Sequence, residues 1–373
     1  MPETMAATRQ APFVIGLTGG IGTGKSAVLA DLVSLGAEGI DADQVARQVT
    51  APGAPAYAGV VAEFSPEILA ADGQIDRGRL AQRVFTDGAA LARLEAIVHP
   101  AVAAAIAGRV AASRAPAVVI EAIKLLEAGL SRTLCDEIWV TRCTLRQQIA
   151  RLRANRGIAE DEVRRRLASQ MPARRMIAQA DRVIDTAGTR AETGAQVVAA
   201  WAAHGLPFPP PVIRPGTLAD ADGIRTVLNA VVREGGRTIA GRTYTVAQER
   251  AFLRAMPKRS VLNVALLGQV VVGFQEVMPY ATYTHTMDHV GSAGTFILAA
   301  VRGRGLGRAL SAATWAAARA TGYHKLVITV RADNAEAQAF YIRLGFQYCG
   351  RLSKQAFVDG QYVDELLYEL FLS

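Results

Sequence analysis

Lysine is almost missing from this chain. Its 373 residues include only Lys25, Lys124, Lys258, Lys325 and Lys354, and arginine supplies the remaining basic groups behind a net charge of +8. Cysteine is nearly as scarce. Cys135, Cys143 and Cys349 have no metal-ligand or redox spacing. That excludes a disulfide framework and suits unpaired thiols in a reducing cytosol. Aromatic residues reach only 6%, and none interrupts the arginine-rich stretch 142–182. A base-stacking surface for nucleic acid is therefore not expected there. No uninterrupted apolar run comes near the ~18 residues a bilayer span needs, so no transmembrane helix is expected. Residues 1–12, MPETMAATRQAP, hold no apolar signal core and read as a disordered leader. These absences together lead to the expectation of a cytoplasmic protein with no membrane and no nucleic-acid partner.

What is present is apolar and divided. A hydrophobic content of 51% is ample for two cores, and the length suits two domains. Between Arg142 and Arg182 stand eleven arginines against Glu160, Asp161, Glu162 and Asp181. Such an excess is either the site of an anionic ligand or a solvated helical face. The first half alternates strand-like runs (Phe13–Leu17, Ala117–Ile120, Glu137–Val140, Arg182–Ile184) with Ala-rich helical stretches. That order is the order of a parallel α/β sheet. The helical stretch Ala191–His204 closes this half. Residues 207–211, within Leu206-Pro-Phe-Pro-Pro-Pro211, read as an extended linker of ~3.1 Å per residue. The expected domains are thus 13–206 and 212–373. The second half predicts a helix over Asp220–Val232 and strands at Val261–Leu267, Val270–Val277, Gly294–Leu298, Leu326–Val330, Phe346–Cys349 and Tyr362–Leu370. Gly268-Gln269 is a two-residue hairpin signal. This half reads as α+β.

The most specific motif is GGIGTGKS at Gly19–Ser26, directly after an apolar strand. It has the spacing of a Walker A loop. Backbone N–H groups of Gly22, Thr23, Gly24 and Ala27 can curl around ATP phosphates, Lys25 reaches the β/γ phosphates, and Ser26 can ligate Mg²⁺. The helix starting near Lys25 adds its N-terminal dipole. Gly22-Thr-Gly24-Lys-Ser-Ala27 also fits a dinucleotide fingerprint, with Asp41 about 20 residues on, but that leaves Lys25-Ser26 unexplained. Asp41 and Asp43 follow, two residues apart at the end of a second strand. On an extended backbone they point the same way. A carboxylate there can take the proton of an attacking hydroxyl or hold the water shell of Mg²⁺, or it can simply cap the next helix.

Over residues 13–205 the chain resembles dephospho-coenzyme A kinases. The resemblance rests on GGIGTGKS, on IDADQVAR at 40–47, on Asp72-Gly73…Asp76-Arg77…Leu80…Phe85, and on Leu94-Glu95-Ala-Ile97-Val-His99-Pro100. It implies a P-loop parallel-sheet domain with a helical lid, acting on ATP and dephospho-CoA. It assigns Asp43 as general base, Asp41 as its support and His99 as a substrate-side residue. Alone, His99-Pro100 would read as a helix start. The family's arginine lid falls on Arg151-Leu152-Arg153-Ala-Asn155-Arg156-Gly157. Arg151 matches the first arginine, and the second falls on Asn155, with Arg156 one place along. Lys124 stands where proline is usual in the segment Glu121–Glu127. Thr186 stands where the family has asparagine near the adenine. Another small-metabolite P-loop kinase is the rival enzyme reading.

A second glycine-rich turn, Arg302-Gly303-Arg304-Gly305-Leu306-Gly307, lies between a strand and a helix and has no following Lys-Ser. Free N–H groups there suit a pyrophosphate. Residues 212–372 resemble the GNAT acetyltransferase superfamily through Arg302-x-x-Gly305-x-Gly307, Asn334 and Ala339-Phe-Tyr341-x-x-Leu-Gly345-Phe346. The resemblance implies that this turn binds acetyl-CoA, that Asn334 contacts the cofactor arm, and that Tyr341 protonates the departing thiolate. The base is unassigned, and Glu276 is the nearest acid by sequence. His285 and His289 lie four apart without a metal-binding pattern. The tail Val358–Glu365 resembles that of members acting on small amines. The acceptor amine is unnamed, and a CoA-binding sensor without catalysis is the alternative for this half.

Overall fold

The structure is a computed structural model and describes residues 11–85, 87–123, 125–126, 131–156, 159–358 and 360–372. Residues 1–10 of the expected leader, Lys124, Glu127, Gly157 and Asp359 lie outside the described residues, as do the side chains of Phe85, Asn155 and Arg156. The chain divides into two compact units, Met1–Ala187 and Gly188–Ser373.

The first unit runs β1 (Phe13–Thr18), α1 (Lys25–Ser34), β2 (Glu38–Asp41), α2 (Ala42–Val49), α3 (Tyr57–Phe64), α4 (Arg77–Phe85), α5 (Gly88–Ala112), β3 (Ala117–Glu121), α6 (Ser131–Leu134), β4 (Glu137–Arg142), α7 (Leu145–Arg156), α8 (Glu160–Ala168), α9 (Ala173–Ala178) and β5 (Arg182–Asp185). Its sheet has the order β2-β3-β1-β4-β5, parallel throughout. Ile15, Leu17, Val118, Val119, Ile138 and Trp139 are all buried. Such continuous apolar runs are what a parallel sheet covered on both faces requires. The C-terminal ends of β1, β2 and β3 meet at one edge, where the motif residues collect.

Two expectations change here. Pro100 does not open a helix; it sits inside the 25-residue α5. There it withholds one N–H from the helical ladder. That helix is also long and apolar enough to cross a membrane by length and composition alone, which the count of uninterrupted apolar residues missed because Arg93, Glu95 and His99 punctuate it. It packs on α2, α3 and α4, with Val102 and Ile106 in the core.

The second unit runs α10 (Arg190–Ala203), β6 (Val212–Pro215), α11 (Ala221–Glu234), α12 (Val246–Ala255), β7 (Val261–Leu267), β8 (Val270–Pro279), β9 (Val290–Ile297), α13 (Leu306–Ala320), β10 (Lys325–Arg331), α14 (Ala335–Arg343), β11 (Gln347–Val358) and β12 (Gln361–Phe371). Its seven strands are ordered β11-β12-β10-β9-β8-β7-β6. Only β9 and β10 pair in parallel, and only from Val290–Lys325 to Ser292–Val327. Beyond Ser292 the two strands part and leave a wedge in the sheet.

The helix expected to close the first half belongs by its packing to the second unit. It is α10, which lies on α11 and β8. It buries Val197, Val198 and Trp201, and Glu192 accepts from Arg225 at 2.9 Å. The compact units divide at 187/188. β9 starts four residues before the expected Gly294, because Gly291 and Ser292, weak strand formers alone, are paired on both sides. Helix α12 was not foreseen, although Thr245 and Gln248 form a capping box at its start.

Candidate active sites

The phosphate loop joins β1 to α1. Gly19 and Gly24 both have positive φ, 145° and 88°. A Cβ at Gly19 would collide with Thr141, so only glycine lets the loop close against β4. Lys25 is buried and its Nζ donates to the carbonyls of Gly19 (2.8 Å) and Gly20 (3.4 Å). Thr23 Oγ1 bonds to Thr141 Oγ1 at 2.7 Å, and Thr186 Oγ1 donates to Thr23 O at 2.7 Å. Thr186 thus braces the loop with the hydroxyl that the sequence reading considered for a base contact. Ser26 is exposed in the first helical turn.

The arginine segment forms α7, α8 and their flanks. Ile21, near the tip of the loop, packs into a cluster of Ile149, Leu152, Val163 and Leu167. Gln170 Oε1 accepts from Ile21 N at 3.0 Å. The lid therefore grips the loop by an apolar contact that charge counting did not reveal. Arg151 does not stand free above the loop. Its guanidinium donates to Thr186 Oγ1 (3.1 Å) and Thr186 O (2.6 Å). Arg164, Arg165 and Arg166 pair with Glu160 and Glu162 on α8, and Arg142 with Asp185. Much of the local positive charge is thus a solvated ion-paired face, in which exposed pairs contribute little.

Asp41 and Asp43 do not share an extended backbone. Asp41 ends β2 and caps α2, its Oδ1 accepting from Gln44 N at 3.0 Å. Asp43 lies in the first turn of α2 and faces a cavity of about 480 Å³. Arg47, Arg77, Glu95, His99 and Cys135 line the same cavity, so the structure joins Asp43 to His99. Glu121 at the end of β3 is in register with Asp41. Burial pushes its carboxyl upward; Lys25 opposes the rise, and Asp41 and Asp43 add to it. The Arg77 guanidinium is lowered by burial and then by neighbouring Arg47. Two cations held together in a cavity suit an anionic ligand. Arg47 and Arg77 stood in the quoted motifs without a role; their common cavity is visible only once α2, α4 and α5 are packed. Cys135 is a poor nucleophile, since burial, aided by Asp136, pushes its thiol up to about 12.

In the second unit, α13 begins one residue after Arg304-Gly305. Gly303 and Gly305 have φ of 74° and 80°. Gly305 caps α13 without a side-chain bond, which leaves the turn's N–H groups open to an anion. A Cβ at Gly307 would meet the Phe340 ring at 2.9 Å, so Leu306 and Gly307 set α13 tight on α14. Arg302 forks onto Glu234 at 2.6 and 2.9 Å and donates from Nε to Ile297 O, while Arg304 lies over the Phe208 ring at 5.1 Å. Asn334 is a helix cap: its Oδ1 accepts from Ala337 N at 3.1 Å, and its Nδ2 donates to Arg237 O. Tyr341 is buried, and its hydroxyl donates to Thr295 Oγ1 at 2.9 Å beside the wedge. Burial raises its phenol above the usual range. His285 is exposed beside Asp288, and among the described residues no cluster has metal-binding geometry.

Comparison with known proteins also falls into two parts, with the kinase match running past 187/188 into the start of α10. Residues 13–192 match the family model for dephospho-CoA kinase, and residues 258–348 the model for an acetyltransferase (GNAT) domain. A dephospho-CoA kinase of Geobacter metallireducens is 47% identical over 192 residues, 51% of this chain and 95% of that protein. One of Thermobifida fusca is 41% identical over 187 residues, 50% of this chain and 94% of that protein. Among solved structures, a GCN5-related N-acetyltransferase from Kribbella flavida is 25% identical and covers 43% of this chain and 98% of its own, with a TM-score of 0.39. A chain with a phosphate loop, a cluster of acids and an arginine-lined cavity, matched at that identity over nearly the whole of those kinases, belongs to the dephospho-CoA kinase family and carries a GNAT acetyltransferase domain in its second half.

Proposed function

We propose that the first unit transfers the γ-phosphoryl group of ATP to the ribose 3′-hydroxyl of dephospho-CoA, giving CoA and ADP. The observation that carries this reading is the cavity shared by Asp43, His99, Arg47 and Arg77 beside the loop that holds Lys25. Asp43 accepts the hydroxyl proton as the oxygen attacks the γ-phosphorus, and the bond to the β,γ-bridging oxygen breaks. General-base help of this kind is worth about 10²–10⁴-fold. Lys25 leaves the loop carbonyls for the phosphates and meets the charge that develops on them. Arg47 and Arg77 hold the acceptor's phosphates, and the apolar wall takes its uncharged arm. Arg151 anchors α7 to Thr186 and so keeps the lid over the loop.

Mg²⁺ fits this donor set. The Ser26 hydroxyl and the neighbouring carboxylates are hard oxygen donors. Such an ion would be carried largely on nucleotide phosphates. When bound, it would neutralise phosphate charge. The second unit is read as an acyl-CoA-dependent N-acyltransferase, with acetyl-CoA pyrophosphate on the turn Arg302–Gly307 and Tyr341 near the departing sulfur. The open N–H groups at the start of α13 and the wedge beyond Ser292 support it.

The test is direct. Purified intact chain with Mg-ATP and dephospho-CoA should yield CoA carrying a 3′-phosphate. Asp43→Asn should lower kcat by at least a hundredfold with an unchanged thermal transition; an unaltered rate would remove Asp43 from the mechanism.

A further inference from the structure

We propose that Thr295, oriented by Gln275, is the positioning residue for Tyr341: it holds the phenol at the wedge and donates a hydrogen bond to the phenolate left when the phenol proton goes to sulfur. This rests on the acetyl-transfer reading above and names the residues that equip Tyr341 for it.

The first observation is a polar row in an apolar core. Asn263 on β7, Gln275 on β8 and Thr295 on β9 are in register across three neighbouring strands, so their side chains share one face of the sheet. Ser311 and Thr314 of α13 meet that row, and both are fully buried, as is Gln275. The contacts run unbroken from α13 to the wedge. Gln275 Nε2 donates to Ser311 Oγ at 3.0 Å and to Thr295 Oγ1 at 2.6 Å. The Tyr341 hydroxyl donates to the same Thr295 oxygen at 2.9 Å. Beside them, Asn263 Nδ2 donates to Thr314 Oγ1 at 3.1 Å. Aliphatic side chains of similar size would fill this space without desolvating amides and hydroxyls, so the row works against stability unless it has a task.

The second observation is direction. Both hydrogens of Gln275 Nε2 are used, and Gln275 Oε1 is buried without a partner. Turning the amide over would let Oε1 accept from Thr295 and Ser311 and would leave Nε2 unpaired instead. One amide atom is unpaired either way; the difference lies in the Thr295 hydrogen. With Nε2 donating, Thr295 accepts from Gln275 and keeps its own hydrogen for the Tyr341 oxygen. Thr295 lies beyond Ser292, where β9 and β10 part, and is partly exposed there.

The third observation is the cost of a buried phenolate. A thiol of pKa about 8.5 is the stronger acid beside a phenol of about 10, so proton transfer from tyrosine to thiolate runs uphill until a donor meets the phenolate. Burial raises the Tyr341 phenol further, and hydrogen bonding to Thr295 opposes the rise. The step balances. A neutral amine forms the N–C bond as the C–S bond breaks, and sulfur takes the electron pair. The Tyr341 proton moves to that sulfur and gives the CoA thiol. Thr295 turns its O–H onto the phenolate while Gln275 still donates to Thr295. The surplus proton on the new amide nitrogen leaves to solvent, and the phenolate regains one from solvent at the wedge.

The intact chain is tested with acetyl-CoA and hydroxylamine, a small acceptor, by following thiol release across pH; acetyl-CoA binding is measured by calorimetry. Thr295→Val should lower kcat about tenfold or more, the loss of a hydrogen bond to a charged group, with the acetyl-CoA KM and Kd within about threefold. Thr295→Ser should keep kcat within about threefold of the parent. Gln275→Met, which keeps the length and removes the donor, should lower kcat in the same direction and guards against a folding defect in Thr295→Val. In a Tyr341→Phe background Thr295→Val should cost less than about twofold more, because both act through one proton. With 3-fluorotyrosine incorporated, the Tyr341 fluorine resonance, assigned by its loss in Tyr341→Phe, should titrate about one pH unit higher in Thr295→Val. An unchanged kcat in both Thr295→Val and Gln275→Met, a full further loss in the Tyr341→Phe background, or an unshifted Tyr341 titration overturns the proposal. Bound acetyl-CoA without enzyme-dependent thiol release instead removes the acetyl-transfer reading itself.

Discussion

Asp43 and Asp41 have one neighbourhood and two tasks. Asp41 spends its carboxylate on the N–H of Gln44, so Asp41→Ala should cost ~1 kcal/mol of stability, as caps do, and be seen as a lower thermal midpoint. Asp43 caps nothing and faces the cavity, so its loss should fall on kcat. Glu276 carries a pH signature. Its carboxyl is raised from 4.5 to about 7, so it is ionised only above about pH 7. The folded state holds the proton longer than the unfolded chain, so stability falls as pH rises from 4.5 through about 7. Glu276→Gln should flatten that fall, and a melting series across pH measures it. The phosphate loop could be read from sequence because its residues are consecutive and each has one geometric job. The polar row behind Tyr341 could not. Asn263, Gln275 and Thr295 are scattered along the chain and meet only across three paired strands.

At the scale of elements, strands were easier to foresee than helices. β1, β3, β4, β7 and β8 announce themselves as apolar runs. α12 buries one acid and so has no apolar stripe to recognise. The lid shows the same limit. Its arginines drew attention to charge, yet its hold on the loop is Ile21 within Ile149, Leu152, Val163 and Leu167. Leu152→Ala should therefore raise the KM for ATP and increase ATP hydrolysis without acceptor, since a loosened lid admits water. Steady-state kinetics with and without dephospho-CoA would show it; unchanged values would mean that the cluster has no part in closure. Asn334 makes the complementary case. As a cap on α14, its change to alanine should lower the melting temperature.

For the whole molecule, the division at 187/188 has a practical consequence. Trp201 is fully buried, and its Nε1 donates to Pro207 O within the second unit. A fragment starting at 212, where the proline stretch suggested the boundary, lacks α10 and bares the surface of α11 and β8 that it covers. A fragment of residues 188–373 should be soluble and melt cooperatively, and one of residues 212–373 should aggregate or melt much lower. Circular dichroism with size-exclusion chromatography decides between them. The central claim concerns the first unit, and one measurement reaches it most directly: the rate at which the intact chain converts dephospho-CoA to CoA with Mg-ATP, product identified by mass, beside Asp43→Asn and Lys25→Ala. The account predicts CoA and ADP in equal amounts from the intact chain and at least a hundredfold loss in each variant. ATP binding with no CoA formed, or variants as fast as the parent, would contradict it.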